Sequence, residues 1–140
     1  MSSVVAQLAD AVVAELNSAV LDGVLATRSW LPRVDLKDLD QTRVTVAPRS
    51  LERRRESRAE ASRQATVDVA VQQHVGPDGQ EAIDGLVALA EQIAEHFDGW
   101  ACAQPMAVCT AAEHKVLAAP EHLDQHHVLT SLVTLNFWLP

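Results

Sequence analysis

The chain lacks several features that would identify a class of protein directly. Its 140 residues include only two cysteines, Cys102 and Cys109, and neither belongs to a CxxC motif. This argues against a disulfide scaffold, a redox pair or a zinc ribbon. There is no run of roughly 18 apolar residues, and no basic segment followed by an apolar core at the N-terminus, so we expect neither a membrane span nor a secretory signal. The sequence predicts one intracellular domain covering residues 1–140.

Motifs that carry catalysis are also absent. The chain contains no HExxH and no GxSxG, and its five glycines are dispersed rather than grouped into a phosphate-binding loop. Neither cysteine has a recognisable nucleophile setting. The carboxylates of Asp35, Asp38 and Asp40 lie in a polar segment, where solvation is expected instead of acid–base catalysis. We therefore expect a protein that is not an enzyme and has no cofactor.

The histidines offer the one pattern that resembles a metal site. All six lie in the second half of the chain: His74, His96, His114, His122, His126 and His127. The i, i+4 spacing of His122 and His126 would place both on one face of a helix, with Glu113 and Cys109 not far along the chain. Pro120 disfavours a long helix there. We expect loop or surface histidines and no metal site; a small metal-dependent enzyme is the alternative, which bound zinc would support.

Charge is distributed unevenly along the chain. The net charge is −8, from 19 acids and 11 bases. Six of the bases fall between residues 49 and 63, namely Arg49, Arg53, Arg54, Arg55, Arg58 and Arg63. Together with Glu52, Glu56 and Glu60 they give this segment +3, which leaves −11 for the rest. An acidic body argues against a dedicated duplex-DNA binder, because phosphate affinity needs a broad cationic face.

The arginines between 49 and 63 have three interpretations. They could contact the carboxylates of a neighbouring protein subunit, contact nucleic acid, or form a solvated loop partly neutralised by the glutamates. No aromatic residue lies among them, so stacking on single-stranded nucleic acid is unsupported. We favour protein contact. Trp30, Trp100 and Trp138 could each be an interface anchor. Core packing is expected at least as strongly for Trp30 and Trp138, whereas Trp100, on a loop, is the better interface candidate.

Periodicity predicts the secondary structure. The predicted elements are a helix at 3–20, strands at 24–31, 42–48 and 65–71, a helix after the turn at 76–79, weaker strands at 106–111 and 114–118, and a strand at 128–139, with loops at 33–41 and 100–105. Asp78 is the expected cap of the second helix, and Asp98-Gly99 its end. The strand at 128–139 is apolar on both faces, so we place it centrally.

The two alternating segments at 42–48 and 65–71 predict an antiparallel hairpin. Pro48 is expected to end the first strand, and residues 49–63 then form a long connecting loop. We therefore predict an α+β fold. It has a four- or five-stranded, mainly antiparallel sheet, two helices packed on one face and a long β-hairpin loop.

The succession of segments resembles a known family. It runs through VVAQLADAVVAELNSA, WLPRVDLKDLDQTRVTVAPRS, QATVDVAVQQHV, EAIDGLVALAEQIAEHF and APEHLDQHHVLTSLVTLNFWLP. Over nearly the whole chain this is similar to the tail terminator (tail completion) proteins of long-tailed bacteriophages. The resemblance implies an α+β protomer and a ring, typically a hexamer. The ring would cap the tail tube, stop its polymerisation and join the tail to the head–tail connector.

The same resemblance implies where the protein acts and what it contacts. It would be a virion protein of the tail–neck junction, assembled in the host cytoplasm. Its partners would be its own copies, the tail tube protein and the head–tail connector, with genomic DNA passing through the lumen without sequence-specific binding and no membrane involved. The alternatives are a head–tail connector or neck protein, and a nucleic-acid-binding accessory protein that uses the Arg-rich loop.

The charge pattern suggests which residues make the subunit contacts. A closed ring needs one patch that meets a different patch on the next copy, and a basic projection on an acidic body provides such a pair. We expect the 49–63 loop to reach the next subunit or the tube. The candidate subunit or tube interface residues are Arg49, Arg53, Arg54, Arg55, Arg58, Arg63 and Trp100.

Overall fold

The computed structural model describes residues 3–31, 39–76, 79–120, 123 and 127–140. Within these residues the elements, in chain order, are α1 (Val4–Glu15), β1 (Ala26–Arg28), β2 (Arg43–Arg55), β3 (Ala61–His74), α2 (Gln80–Phe97), β4 (Ala101–Ala103), β5 (Met106–Val116) and β6 (Val128–Leu139). The described strands form one sheet in the order β1-β2-β3-β6-β5-β4. The predicted α+β class is confirmed.

The sheet differs from the prediction in size and in one pairing. It has six strands in the described part of the chain, where four or five were expected. The first pair, β1 with β2, is parallel, and the other pairs are antiparallel. The sheet is therefore mixed. The predicted central position of the last strand is confirmed, since β6 lies between β3 and β5.

The first helix forms as the apolar periodicity predicts, with a wider final turn. The Ser3 hydroxyl accepts a hydrogen bond from the Ala6 N–H at 3.4 Å and so caps the N-terminus. Leu8 and Val12 lie on the buried stripe. After Glu15 the chain continues as a π-helical turn at Leu16–Val20.

The second helix also follows its pattern. It buries Leu86, Ala90, Ile93 and Phe97, which recur at helical spacing. It ends before Gly99, whose φ of 79° is the left-handed conformation that glycine adopts without strain. Gly79 occupies the N-cap position, and the predicted cap Asp78 lies outside the described residues.

The core lies between the two helices and one side of the sheet. Cross-strand partners share a face, and the aligned Val46, Val69 and Val133 on β2, β3 and β6 are all buried in the same cluster as the helix residues. We call this side the helix face. The opposite side, which carries Asp68 and Thr134, is the open face. The predicted inward-facing Val44, Val46, Val67, Val69 and Val71 are confirmed.

Several predicted boundaries are wrong. The strand at 24–31 shortens to β1, a three-residue edge strand, and the side chains of Trp30 and Leu31 beyond it are exposed. The segments at 106–111 and 114–118 are one strand, β5, with bulges that interrupt its alternation. The loop at 100–105 contains β4. Most of the predicted loop at 33–41 lies outside the described residues.

The largest correction concerns residues 49–63. Pro48 does not end its strand, because β2 continues to Arg55 and β3 begins at Ala61. The predicted long loop is therefore wrong over most of its length. Ladder hydrogen bonds between β2 and β3 stabilise this segment, although few of its side chains are buried. Its sequence therefore lacks the alternation of apolar and polar residues from which a strand is predicted.

Phe97 should be the most sensitive position of the second helix. Its side chain is fully buried, and its ring packs edge-on against Trp100 with centroids 5.0 Å apart. Phe97→Ala should lower the free energy of unfolding by about 3–5 kcal/mol, through lost transfer energy and a cavity. Leu25→Ala, at a side chain 73% exposed, should change it by less than about 1 kcal/mol. Urea unfolding measures both, and similar losses in the two variants would contradict this packing.

Candidate functional site

The predicted interface residues lie mostly on a projecting β-hairpin. Residues 49–63, which we call the arm, comprise the end of β2, a turn and the start of β3. The turn is closed by the Glu56 N–H, which donates to the Glu60 carbonyl at 2.9 Å. The Ser57 hydroxyl accepts from the N–H groups of Ala59 and Glu60 at 3.2 and 3.1 Å. The arginines are therefore held on an ordered ladder.

A β-bulge at Arg49 marks the base of the arm. Pro48 pairs with Val67 and Ser50 with Thr66, so Arg49 is an extra residue on β2. A bulge of one residue reverses the faces of all side chains that follow it, relative to simple alternation. Which side of the arm each side chain of β2 occupies therefore cannot be predicted from the alternation of its sequence alone.

Arg49 is itself bound to the body of the protein. Its guanidinium donates to the Asp68 carboxylate at 2.8 Å and to the Thr134 hydroxyl at 3.0 Å. The Thr134 hydroxyl donates to the same carboxylate oxygen of Asp68 at 2.9 Å. Asp68 and Thr134 are buried on the open face, and a buried carboxylate requires such partners. Arg49 is thus an anchor of the bulge.

One side of the arm is basic. Leu51 pairs with Ala65, Arg53 with Arg63 and Arg55 with Ala61, so these side chains share the side that continues the helix face. We call this side, formed by Leu51, Arg53, Arg55 and Arg63, the basic face. Like charges lie directly opposite each other where Arg53 meets Arg63.

The other side of the arm is acidic and contains a tryptophan. Glu52 pairs with Gln64, and Gln64 pairs with Trp138 of β6, so these three share the open side. The turn residues Glu56 and Glu60 line the space beside Trp138. We call the side formed by Glu52, Glu56, Glu60 and Trp138 the acidic face. Arg54 also lies there, but it forms an ion pair with Glu52 at 3.4 Å.

The exposed arginines differ in their partners. Arg55 donates to the Arg58 carbonyl at 3.2 Å, and Arg63, which is half-buried, donates to the Pro140 carbonyl at 3.2 Å. No residue of the described chain accepts a hydrogen bond from the side chain of Arg53 or Arg58, and both are exposed. The structure thus brings five of the six predicted arginines together on the arm beyond its anchor Arg49.

The three tryptophans differ in exposure. Trp100 is half-buried and packs edge-on against Phe97 and Phe137, with ring centroids 5.0 and 6.2 Å away. Phe137 pairs with Ala65, two residues beyond the arm. Of the two interpretations of Trp30 and Trp138, core packing is wrong, because they are 61% and 41% exposed. Trp138 is not among the predicted interface residues because a tryptophan in an apolar terminal strand is typical of core. The cross-strand partner of Trp138 is the polar residue Gln64, which is known only from the register of β3 with β6.

Two shallow grooves flank the exposed indole of Trp138. The groove toward the body, of about 350 Å³, is lined by Glu52, Thr66 and Asn136. The groove toward the turn, of about 500 Å³, is lined by Glu56 and Glu60. Both are open to solvent. They suit side chains of another protein better than a small molecule, which needs an enclosed apolar pocket.

In the described part of the chain, the histidines and cysteines do not form a reactive cluster. His96 pairs with Glu15 at 2.8 Å between the two helices, and His122 and His126 lie outside the described residues. Among the residues that are described, no group of three His, Cys, Asp or Glu side chains could hold a metal ion. Burial raises the pKa of the Cys109 thiol to about 11 and also raises that of Cys102, so neither favours the reactive thiolate.

No protein-family model and no curated protein matches this chain. Within the described residues, no helix combines the length and apolar character that crossing a membrane requires.

Removal of the Arg49 side chain should destabilise the fold, whereas removal of Arg53 should not. Arg49→Ala leaves the buried Asp68 carboxylate with one fewer charged partner, so we expect a loss of about 1–3 kcal/mol in the free energy of unfolding. Arg53→Ala removes an exposed side chain without a partner in the described chain, and the change should stay within about 0.5 kcal/mol. Urea unfolding distinguishes the two, and equal losses would show that Arg49 is no anchor.

His114 should make stability depend on pH. Burial lowers the pKa of His114, against a smaller opposing effect of Glu91, whereas the unfolded chain binds this proton near about pH 6.5. The unfolded state therefore holds more protons, and stability should fall as pH decreases through that value. His114→Gln should weaken this dependence between about pH 7.5 and 5.5, while at pH 8 it reports only the loss of the Ser131 hydrogen bond. An unchanged slope would exclude His114 as its source.

Proposed function

We propose that the protein is a structural component of a long-tailed bacteriophage, of the tail terminator kind. Copies of the chain form a ring, typically a hexamer, that caps the tail tube, stops its polymerisation and joins the tail to the head–tail connector. The protein performs no chemistry. The observation that supports this most is the arm, an ordered projection of opposite charge to the body that carries it.

The arm supplies what ring closure requires. In a ring every copy uses one patch to bind a different patch on its neighbour, so each subunit must carry both halves of a heterologous contact. The arm contributes exposed arginines, and the remaining chain carries −11. Arginine is suited to this role because its planar guanidinium binds carboxylates through two parallel hydrogen bonds.

The overall charge also suits a channel for DNA. A net charge of −8 repels phosphates, so genomic DNA could pass through the lumen without adhering to it. The same charge makes subunit contacts sensitive to salt, because attraction between exposed groups is screened beyond about 8–10 Å at physiological ionic strength. The virion tail–neck junction is the corresponding location.

A head–tail connector or neck protein is the nearest alternative, since such proteins also form rings. The two functions differ in what they bind and block. A terminator added to polymerising tail tube protein should stop elongation and be seen by electron microscopy at one end of short tubes. A connector should leave tube length unchanged and bind the head instead.

Removal of the exposed arginines should disrupt the ring. Combined replacement of Arg53, Arg54, Arg55 and Arg58 by alanine should weaken self-association at least about tenfold, because it removes the guanidinium contacts. Native mass spectrometry and negative-stain imaging measure the assembly. The unfolding midpoint should stay within a few degrees, because all four side chains are exposed.

A matched control removes two bases outside the arm. Arg28→Ala with Lys115→Ala should leave the ring intact, since these side chains form ion pairs within the subunit, with Asp10 and Glu113. If the arm variant assembled as well as this control, the arm would have no part in the ring. A wild-type protein that is monomeric at tens of micromolar and does not bind tube protein would overturn the proposed function.

A further inference from the structure

The two faces of the arm are complementary to each other. The basic face carries three arginines and no acid, whereas the acidic face carries three glutamates and one arginine that is already paired. The charges of both faces lie on the arm, and Trp138 of the adjoining strand β6 completes the acidic face, so each copy of the chain presents both. A surface that carries both halves of a contact on opposite sides can bind its own copies repeatedly, head to tail.

One arginine of the basic face, Arg53, lacks an acceptor in the described chain, and no carboxylate of the basic face pairs with any of the three. Arg53 and Arg63 are directly opposite each other in the ladder, and like charges in this position destabilise a strand pair. Arg63 has the Pro140 carbonyl as a partner. The described chain offers no acceptor to the Arg53 guanidinium, which is exposed. The arrangement therefore suits an external acid.

The acidic face offers a cation site of the right kind. Trp138 presents 41% of its surface to solvent, with Glu52 at the groove on one side and Glu56 and Glu60 at the groove on the other. A guanidinium over an indole gains a cation–π attraction, and tryptophan is the best aromatic residue for it. Neighbouring carboxylates can bind the same guanidinium through its N–H groups.

Each face also holds one exposed apolar side chain among the charges. Leu51, 41% exposed, is this side chain on the basic face, and Trp138 serves the same role on the acidic face. Protein interfaces commonly bury a few such anchors at the centre, surrounded by polar groups that exclude water. The charges around the two anchors have opposite signs, which gives the contact its polarity and its register.

We propose that the arm of one copy binds the arm of the next, basic face against acidic face, with an arginine of the basic face over the Trp138 indole. This inference rests on the proposed self-assembly and specifies its contact. A second copy is the occupant because the complementary charges lie on the same ribbon. The body of the neighbour is then not the main receptor of the arm. An arginine-rich segment of another protein is the competing occupant.

Two variants, each lacking one face, test this contact. Arg53→Gln with Arg55→Gln removes the two exposed arginines of the basic face, leaves Arg63 bound to the Pro140 carbonyl and keeps the acidic face. Glu52→Gln, Glu56→Gln and Glu60→Gln together remove the acidic charges and keep the basic face. All the replaced side chains are exposed, and unfolding curves check that both variants fold. Native mass spectrometry is run on the wild type, on each variant and on their equal mixture.

The expected result has three parts. The wild type assembles into rings, each variant alone loses association at least about tenfold, and the mixture forms a dimer of twice the 15.2 kDa chain mass. The dimer arises because each variant retains the face that the other lacks. The dimer cannot grow further, because the two faces that remain unbound are those whose charges were replaced by glutamine.

Other outcomes overturn the inference in distinguishable ways. If both variants form wild-type rings, or if the mixture stays monomeric while the wild type assembles, the arms do not bind each other, and the proposed ring is retained with a different contact. If the wild type itself is monomeric, the ring proposal and this inference fail together. If the variant without the acidic charges is the only one that loses binding to another protein, and rings persist, then an arginine-rich segment of that protein is the occupant of the acidic face.

Discussion

The hydrogen-bonded bulge at Arg49 is the constraint on which the character of the arm depends. Side chains on a strand alternate between faces, so one extra residue exchanges the faces of everything beyond it. Without the bulge, Leu51 and Arg53 would lie on the side of Trp138, and Glu52 would lie opposite. Both signs of charge would then be mixed on each side of the ribbon. The separation into a basic and an acidic face follows from this single residue.

The buried carboxylate of Asp68 explains why the bulge is held in place. Isolated burial of a charge is costly, and Asp68 lies in the centre of the open face with only 4% of its surface exposed. The guanidinium of Arg49 and the hydroxyl of Thr134 both bind it, so the anchor joins β2, β3 and β6. A change that loosens this anchor would alter the orientation of the arm as well as the stability of the sheet.

Sequence patterns predicted those elements that bury one face. The alternation of Val44 and Val46, and of Val67 to Val71, gave the hairpin correctly because these valines all pack into the core on the helix face. The arm could not be predicted in this way, since both its sides face solvent and only its hydrogen bonds make it a strand. The arginines were found from their clustering, whereas Trp138 needed the register of β3 with β6. The bulge itself has no signal in composition.

An arm with one basic and one acidic face selects its partner more specifically than an arm of a single charge. A purely basic projection would bind any acidic surface, including that of unrelated proteins, and would repel its own copies. Opposite charges on the two sides permit association in one polarity and penalise like faces that meet, which is specificity by repulsion as well as attraction. Because the exposed charges are screened by salt, the apolar pair of Leu51 and Trp138 would carry a larger share of the contact as ionic strength rises. In such an assembly the charges set the polarity of the contact, and the buried side chains of Leu51 and Trp138 keep the copies associated at high salt.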